Sequence, residues 1–236
     1  MISVISAITI SLTLLLAGCV ANDTPRLSPA ATPSEAGLVD IATLSDDFII
    51  DMRYAGDNNF IGERIDGYEA PRCYLLQPVA DALVRVADAL KERQLRLKVF
   101  DCYRPARAVR HFVDWAADPD DQRQKAAYYP GIDKSELMGV YIAPVSGHSR
   151  GATIDLTLAS CENDHCRELD MGTTYDFFDE LAHTDNPRVS ERQRANRNLL
   201  RTAMEQQGFR NYELEWWHYT LSPEPAPHRM YDVPVR

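Results

Sequence analysis

The sequence predicts an α+β fold, a single domain in which an antiparallel sheet is flanked by helices. Period-two apolar alternation marks some segments and helical spacing marks others. The two kinds do not alternate regularly, as they would around a parallel sheet. Residues 39–236 form one stretch without an internal linker or repeat, long enough for one domain with a real core.

Taken in order, residues 1–18 carry no charged side chain, and Ile8 to Leu16 is almost continuously apolar. That run has the length of a signal-peptide core and is too short to span a bilayer. It ends Leu16-Ala17-Gly18-Cys19, which resembles a bacterial lipobox. The resemblance implies cleavage before Cys19 and lipid on its sulfur and amine, and so membrane attachment through the N-terminus. Val20-Ala21 follows where lipoproteins retained at the inner membrane commonly carry Asp. The expectation is an exported lipoprotein of the outer membrane, facing the periplasm. Residues 19–38 are rich in Ala, Pro, Ser and Thr, with Pro25, Pro29 and Pro33, and read as a flexible tether.

Within the domain, Val79, Leu83, Val86 and Leu90 at helical spacing predict a helix over Pro78–Arg93, with proline near its start. Leu95 to Val99 alternates like a strand. Val109, Phe112 and Val113 predict a helix over Pro105–Ala117. In Gly151–Leu158, Ala152, Ile154, Leu156 and Leu158 face one side and Thr153, Asp155 and Thr157 the other. A short helix is expected over Thr174–Ala182. A long one is expected over Ser190–Gln207, closed by Gly208, and a last strand over Tyr212–Leu221.

The composition is that of a globular protein, and the net charge is −10. So acidic a chain lacks the clustered positive charge that nucleic acid requires. Five cysteines are present, and the lipid anchor accounts for Cys19. Cys73, Cys102, Cys161 and Cys166 remain, which an exported protein can pair as disulfides. Cys161 and Cys166 would close a hairpin tip, leaving Cys73 with Cys102; four cysteines permit three connectivities. No CxxC pair suggests a zinc finger.

Two of the six histidines stand out by their neighbours. His148 lies in Ser146-Gly-His-Ser-Arg-Gly151, just before the strand that carries Asp155. An acid within an otherwise apolar strand is costly to bury without compensation, and a metal would compensate it. His218 lies in Glu215-Trp-Trp-His218, among aromatics able to wall a cleft. Two imidazoles and one carboxylate are a typical catalytic zinc set, with one position left for water. Glu215 and His218 would face opposite sides of a regular strand, so a bulge or strand end is expected near Trp216-Trp217.

His148 and Asp155 in their Ser-Gly-His-x-x-Gly-x-x-x-Asp frame, followed by Glu215-x-x-His218, resemble the D-alanyl-D-alanine dipeptidase family, the VanX-like branch of zinc metallopeptidases. Tyr54-Ala-Gly-Asp-Asn-Asn-Phe60, Asp66-Gly-Tyr68, Asp101-Cys-Tyr-Arg-Pro105 and Met171-Gly-Thr-Thr-Tyr-Asp-Phe-Phe-Asp-Glu180 extend the likeness over most of residues 39–223. The resemblance implies one Zn2+ per chain in a cleft, held by His148, Asp155 and His218. It implies that Glu215 moves the proton, Arg104 stabilises the oxyanion, and Asp176 pairs with the dipeptide's free amine. Ser146, Tyr54 and Tyr68 are further substrate-contact candidates. The implied activity is hydrolysis of D-alanyl-D-alanine in cell-wall turnover or salvage. A D,D-carboxypeptidase or L,D-peptidase acting on peptidoglycan stems is the chemical rival, and Asp176 separates the two. A non-heme iron centre would favour His-x-Asp spacing, and a Cys102 nucleophile needs a free thiol. A non-catalytic wall-binding lipoprotein would not be expected to keep the whole residue set.

Overall fold

The computed structural model describes residues 25–162 and 165–236. The proposed signal segment and Cys19 lie outside the described residues. In chain order the elements are β1 (Arg26–Leu27), α1 (Pro33–Ala36), β2 (Leu38–Asp40), β3 (Phe48–Ile50), β4 (Tyr74–Leu76), α2 (Gln77–Lys91), β5 (Leu95–Asp101), α3 (Ala106–Ala117), α4 (Lys125–Tyr128), β6 (Thr153–Glu162), β7 (His165–Glu168), α5 (Glu191–Glu205), β8 (Phe209–Asn211), β9 (His218–Leu221) and β10 (Arg229–Met230).

Six strands form the central sheet in the order β3-β5-β6-β9-β8, with β7 pairing β6. Its pairs are antiparallel except β3 with β5. The chain leaves β3, crosses through α2 and returns in β5, and a helical crossover delivers strands in parallel. The expected antiparallel sheet is thus mixed at that edge. α2 turns Val79, Leu83, Val86 and Leu90 into the core, and it packs on β5 and α5. α5 opens with a reciprocal cap, in which Ser190 accepts from the Gln193 backbone and the Gln193 side chain accepts from that of Ser190. β6 is buried on both faces, Thr153, Asp155 and Thr157 included.

Three expectations need correction. The segment expected as a tether through residue 38 carries structure from Arg26 on. β1 pairs with β10, and Thr32 caps α1, whose Ala36 is buried. Residues 174–182 are not a helix: only Glu180–Ala182 makes a 3-10 turn, and the stretch before it is a loop. The last strand is broken: Asn211 ends β8, a turn follows, and β9 begins at His218.

Disulfides join Cys73 to Cys102 and Cys161 to Cys166. The first ties β4 to the chain leaving β5. The second sits at facing positions of the β6–β7 hairpin. No helix among the described residues is long and apolar enough to cross a membrane.

Candidate active site

Sheet register builds the site. Asp101 at the end of β5 pairs with Asp155 on β6, and Asp155 pairs with His218 at the start of β9. Three polar side chains therefore occupy one row across neighbouring strands. His148 reaches this row from a 3-10 turn, Gly147–Arg150, in which its own backbone N–H donates to the Ser146 hydroxyl. Gly151 ends that turn at φ 71°, and a Cβ there would stand 2.8 Å from Leu38, so only glycine fits. Arg150 is bound to Glu224 through both ends of its guanidinium and anchors the same turn.

His148, Asp155 and His218 each aim one ligand atom at a common point, and these atoms lie within 4.8 Å of one another. His148 Nδ1 donates to the Cys102 carbonyl at 2.7 Å. That contact leaves the lone pair on Nε2, which stands 3.3 Å from His218 Nδ1 and 3.3 Å from Asp155 Oδ1. Asp155 Oδ1 is buried and forms no hydrogen bond, with His218 Nδ1 3.0 Å away. Lone pairs converging on a carboxylate oxygen fit a divalent cation, and two imidazoles with one carboxylate fit a catalytic zinc centre. Burial opposes charge on Asp155, and positive charge on the side of His148 and His218, whether as imidazolium or as a bound cation, holds the carboxyl below its usual range.

The break before β9 places Glu215 in the turn that leads into His218, and its Oε2 lies 3.4 Å from His218 Nδ1. The expected strand end is where the chemistry requires it. Burial pushes the Glu215 carboxyl up to about 7, a value suited to taking and returning protons near neutrality.

Arg104 follows β5. Its guanidinium lies 2.9 Å from Asp101 Oδ2 and 3.8 Å from Asp155 Oδ2. It also rests over the Phe112 and Tyr54 rings. Packed in this way, it presents a fixed positive charge to the cavity.

Asp176 is a buried acid at φ 58°. Left-handed backbone at a residue other than glycine is uncommon and clusters at functional positions. The Tyr54 hydroxyl donates to Asp176 Oδ2 at 2.8 Å. Burial and the charge of Asp155 push the Asp176 carboxyl well above the usual range. An ammonium group seated beside it would restore its ionisation.

A cavity of about 220 Å³ joins these groups. Tyr54, Arg104, Ser146, His148, Asp155, Asp176, Glu215 and His218 all line it. Tyr68 is the exception among the expected substrate contacts. Its hydroxyl donates to Asp101 at 2.5 Å, so it buttresses the acid behind Arg104 and does not line the cavity.

Three residues escaped sequence reasoning. Asp101 holds Arg104, Tyr68 and, at 3.4 Å, His148. The sign of it was an acid closing an alternating strand three residues before an arginine. Tyr175 contacts both Tyr54 and Asp155. Arg197 is fully buried and donates to the carbonyls of Met171, Leu181 and His183, which shapes the loop carrying Asp176. Tyr175 lies within the 171–180 segment of the family likeness, where nothing distinguishes it from its neighbours, and Arg197 is marked by no local pattern. Of the remaining histidines, His111 accepts from the Asp66 backbone and His165 is exposed.

The D-ala-D-ala dipeptidase family profile, of peptidase family M15, matches residues 34–236. A D-alanyl-D-alanine dipeptidase of Enterococcus faecium is 40% identical over 187 residues, covering 79% of this chain and 92% of the relative. One from Escherichia coli K12 is 34% identical over 192 residues, covering 80% and 86%. Among solved structures, the LdcB LD-carboxypeptidase is similar at a TM-score of 0.40 and 18% identity, over 65% of this chain and 62% of that one. On the profile match and the extent of these identities, the chain belongs to the D-alanyl-D-alanine dipeptidase family of metallopeptidases.

Proposed function

We propose that this protein is a zinc dipeptidase that cleaves D-alanyl-D-alanine into two D-alanines. The observation that carries the reading is a buried carboxylate, Asp176, in the same small cavity as a His–Asp–His set and Glu215. Family relatives at 34–40% identity supply the identity of the dipeptide.

His148 through Nε2, Asp155 through its carboxylate and His218 through Nδ1 would hold one zinc ion. Zinc bound there supplies Lewis acidity, which lets water attack an amide at neutral pH. Asp176 binds the substrate ammonium and so sets the first peptide bond over the metal set. Glu215 removes the proton from the attacking water and returns it to the leaving amine. Arg104 faces the carbonyl oxygen as it becomes negative, where a fixed charge in a dry site is most effective. Ser146 and the Tyr54 ring close the wall. A longer or acylated peptide brings an amide where the ammonium belongs and leaves Asp176 buried without its counter-ion.

The test is a panel of D-Ala-D-Ala, L-Ala-L-Ala and N-acetyl-D-Ala-D-Ala with zinc-loaded protein. The free D-dipeptide is expected to be cleaved fastest. The acetylated one should be slower by about a hundredfold or more, since removing one partner of a buried ion pair costs about 3 kcal/mol. Equal rates on the free and acetylated dipeptides contradict the role of Asp176.

Export completes the proposal. Residues 1–18 act as a signal, Cys19 carries lipid, and the domain faces the periplasm from the outer membrane. The apolar run ending at Cys19 and the two disulfides support it. Residues before 34 also lie outside the family match. In that compartment the enzyme serves salvage of D-alanine from wall turnover.

A further inference from the structure

Two buried phenols connect the amine seat to the metal carboxylate. Tyr54 Oη lies 2.8 Å from Asp176 Oδ2 and 2.9 Å from Tyr175 Oη. Tyr175 Oη lies 3.1 Å from Asp155 Oδ2. Three contacts thus link four groups in a line, and the phenols bring one proton each. Two protons fill two of the three contacts. With Asp155 ionised, as a metal ligand must be, a third is available only when Asp176 carries one, and all donors then run in a single direction, Asp176 to Tyr54 to Tyr175 to Asp155. A cation seated on Asp176 keeps that carboxyl ionised and holds the Tyr54 proton toward it. The Tyr175 proton must then serve either the Tyr54 oxygen or Asp155. The charges facing Asp176 from the packed elements are Asp155, Arg104 and Glu215. Among the described residues, the hydrogen bonds of Tyr175 Oη go to Tyr54 and Asp155, and Arg104 and Glu215 make none with it.

We infer that Tyr175 is a positioning residue that couples the filling of the amine seat to the metal-binding carboxylate, so that the two sites act as one hydrogen-bonded unit. It sits in this line by packing: its ring stacks on Phe100 at 4.7 Å and meets Trp217 edge-on. Tyr175→Phe keeps both ring contacts and removes only the hydroxyl. The inference rests on the metallo-dipeptidase reading for the identity of metal and amine.

The experiment measures zinc retention of the full chain against a competing chelator, in wild type, Tyr175→Phe, Tyr54→Phe and the double variant. Loss of an outer hydrogen bond to a metal ligand weakens metal affinity by about tenfold or more, and that is the expectation for Tyr175→Phe. Tyr54 makes no hydrogen bond to any of the three ligands, and Tyr54→Phe keeps the ring beneath Arg104, so the lost hydroxyl acts on Asp155 through Tyr175. With the amine seat empty and Tyr54 donating to Tyr175, Tyr54→Phe should weaken retention about threefold in wild type and not at all beside Tyr175→Phe, the signature of coupled sites. From the amine side, Tyr175→Phe should raise KM for D-Ala-D-Ala about fivefold, within the usual span of coupling between sites. kcat should change less than KM. Zinc retention within twofold of wild type in Tyr175→Phe overturns the inference. An equal effect of Tyr54→Phe in both backgrounds does so too. If wild type fails to cleave the dipeptide while the retention pattern holds, the dipeptidase reading falls and the coupling stands. If wild type cleaves and Tyr175→Phe retains zinc normally, the coupling alone falls.

Discussion

Glu215 and Asp176 are two acids in one cavity, and their different neighbours support the different tasks proposed for them. Glu215 stands beside His218 with its carboxyl pushed up to about 7 by burial, poised for proton transfer. Asp176 is held by one phenol and lies off the metal set, poised for a cation. Glu215→Gln keeps the shape and removes the base. It should lower kcat by about 10²–10⁴-fold, the range of general-base catalysis, while zinc content measured by elemental analysis stays at the wild-type level. The sequence made Asp155 legible, because an acid inside an apolar strand demands a compensating partner. His148 and His218 were legible by their flanking glycines and tryptophans. Tyr68, a substrate-contact candidate by its motif, braces Asp101 instead. A motif shows that a phenol is present, and only the fold shows which way it points.

At the scale of elements, the decisive feature is a strand that stops. Had Tyr212–Leu221 run as one regular strand, Glu215 and His218 would face opposite sides. The turn after Asn211 brings both to the cavity, and spacing alone predicted such a break. The loop at 171–179 was not legible. Its order comes from Arg197 on distant α5, whose guanidinium satisfies three of its neighbouring carbonyls, and nothing near residue 176 announces that. The Cys73–Cys102 bridge is the third device. Cys102 supplies the carbonyl that orients His148, and its neighbour Asp101 holds Arg104. The bridge spans 29 residues, and closing a loop of that size stabilises by about 3–4 kcal/mol in the chain-entropy picture. Cys73→Ser with Cys102→Ser should lower the midpoint of urea unfolding accordingly, and the slope should rise rather than fall because the uncrosslinked unfolded chain is less compact. An unchanged midpoint would show that packing alone holds β4 to the end of β5.

For the whole molecule, the sequence foretold the α+β class and the single domain, while the mixed sheet and the ordered segment after Arg26 were hidden. Parallel pairing of β3 with β5 depends on where α2 crosses, which no local pattern encodes. β1 pairs with β10, some 200 residues away in the chain, so a proline-rich composition masked a tertiary contact. The acidic net charge of −10 speaks against nucleic-acid partners and says nothing against a small zwitterionic dipeptide. Export makes a separate prediction at this scale. Protein recovered from bacterial membranes should begin at Cys19 and carry the mass of attached acyl chains, and Cys19→Ala should abolish both. A soluble product that keeps residues 1–18 contradicts the anchor.

Under the proposed function, His148, Asp155 and His218 hold a zinc ion on which cleavage of D-alanyl-D-alanine depends. The most direct measurement is D-alanine release by the purified protein before chelation, after chelation, and after one equivalent of zinc is restored. Release that disappears with the metal and returns with it is the predicted result. Release that survives complete removal of the metal would contradict the account.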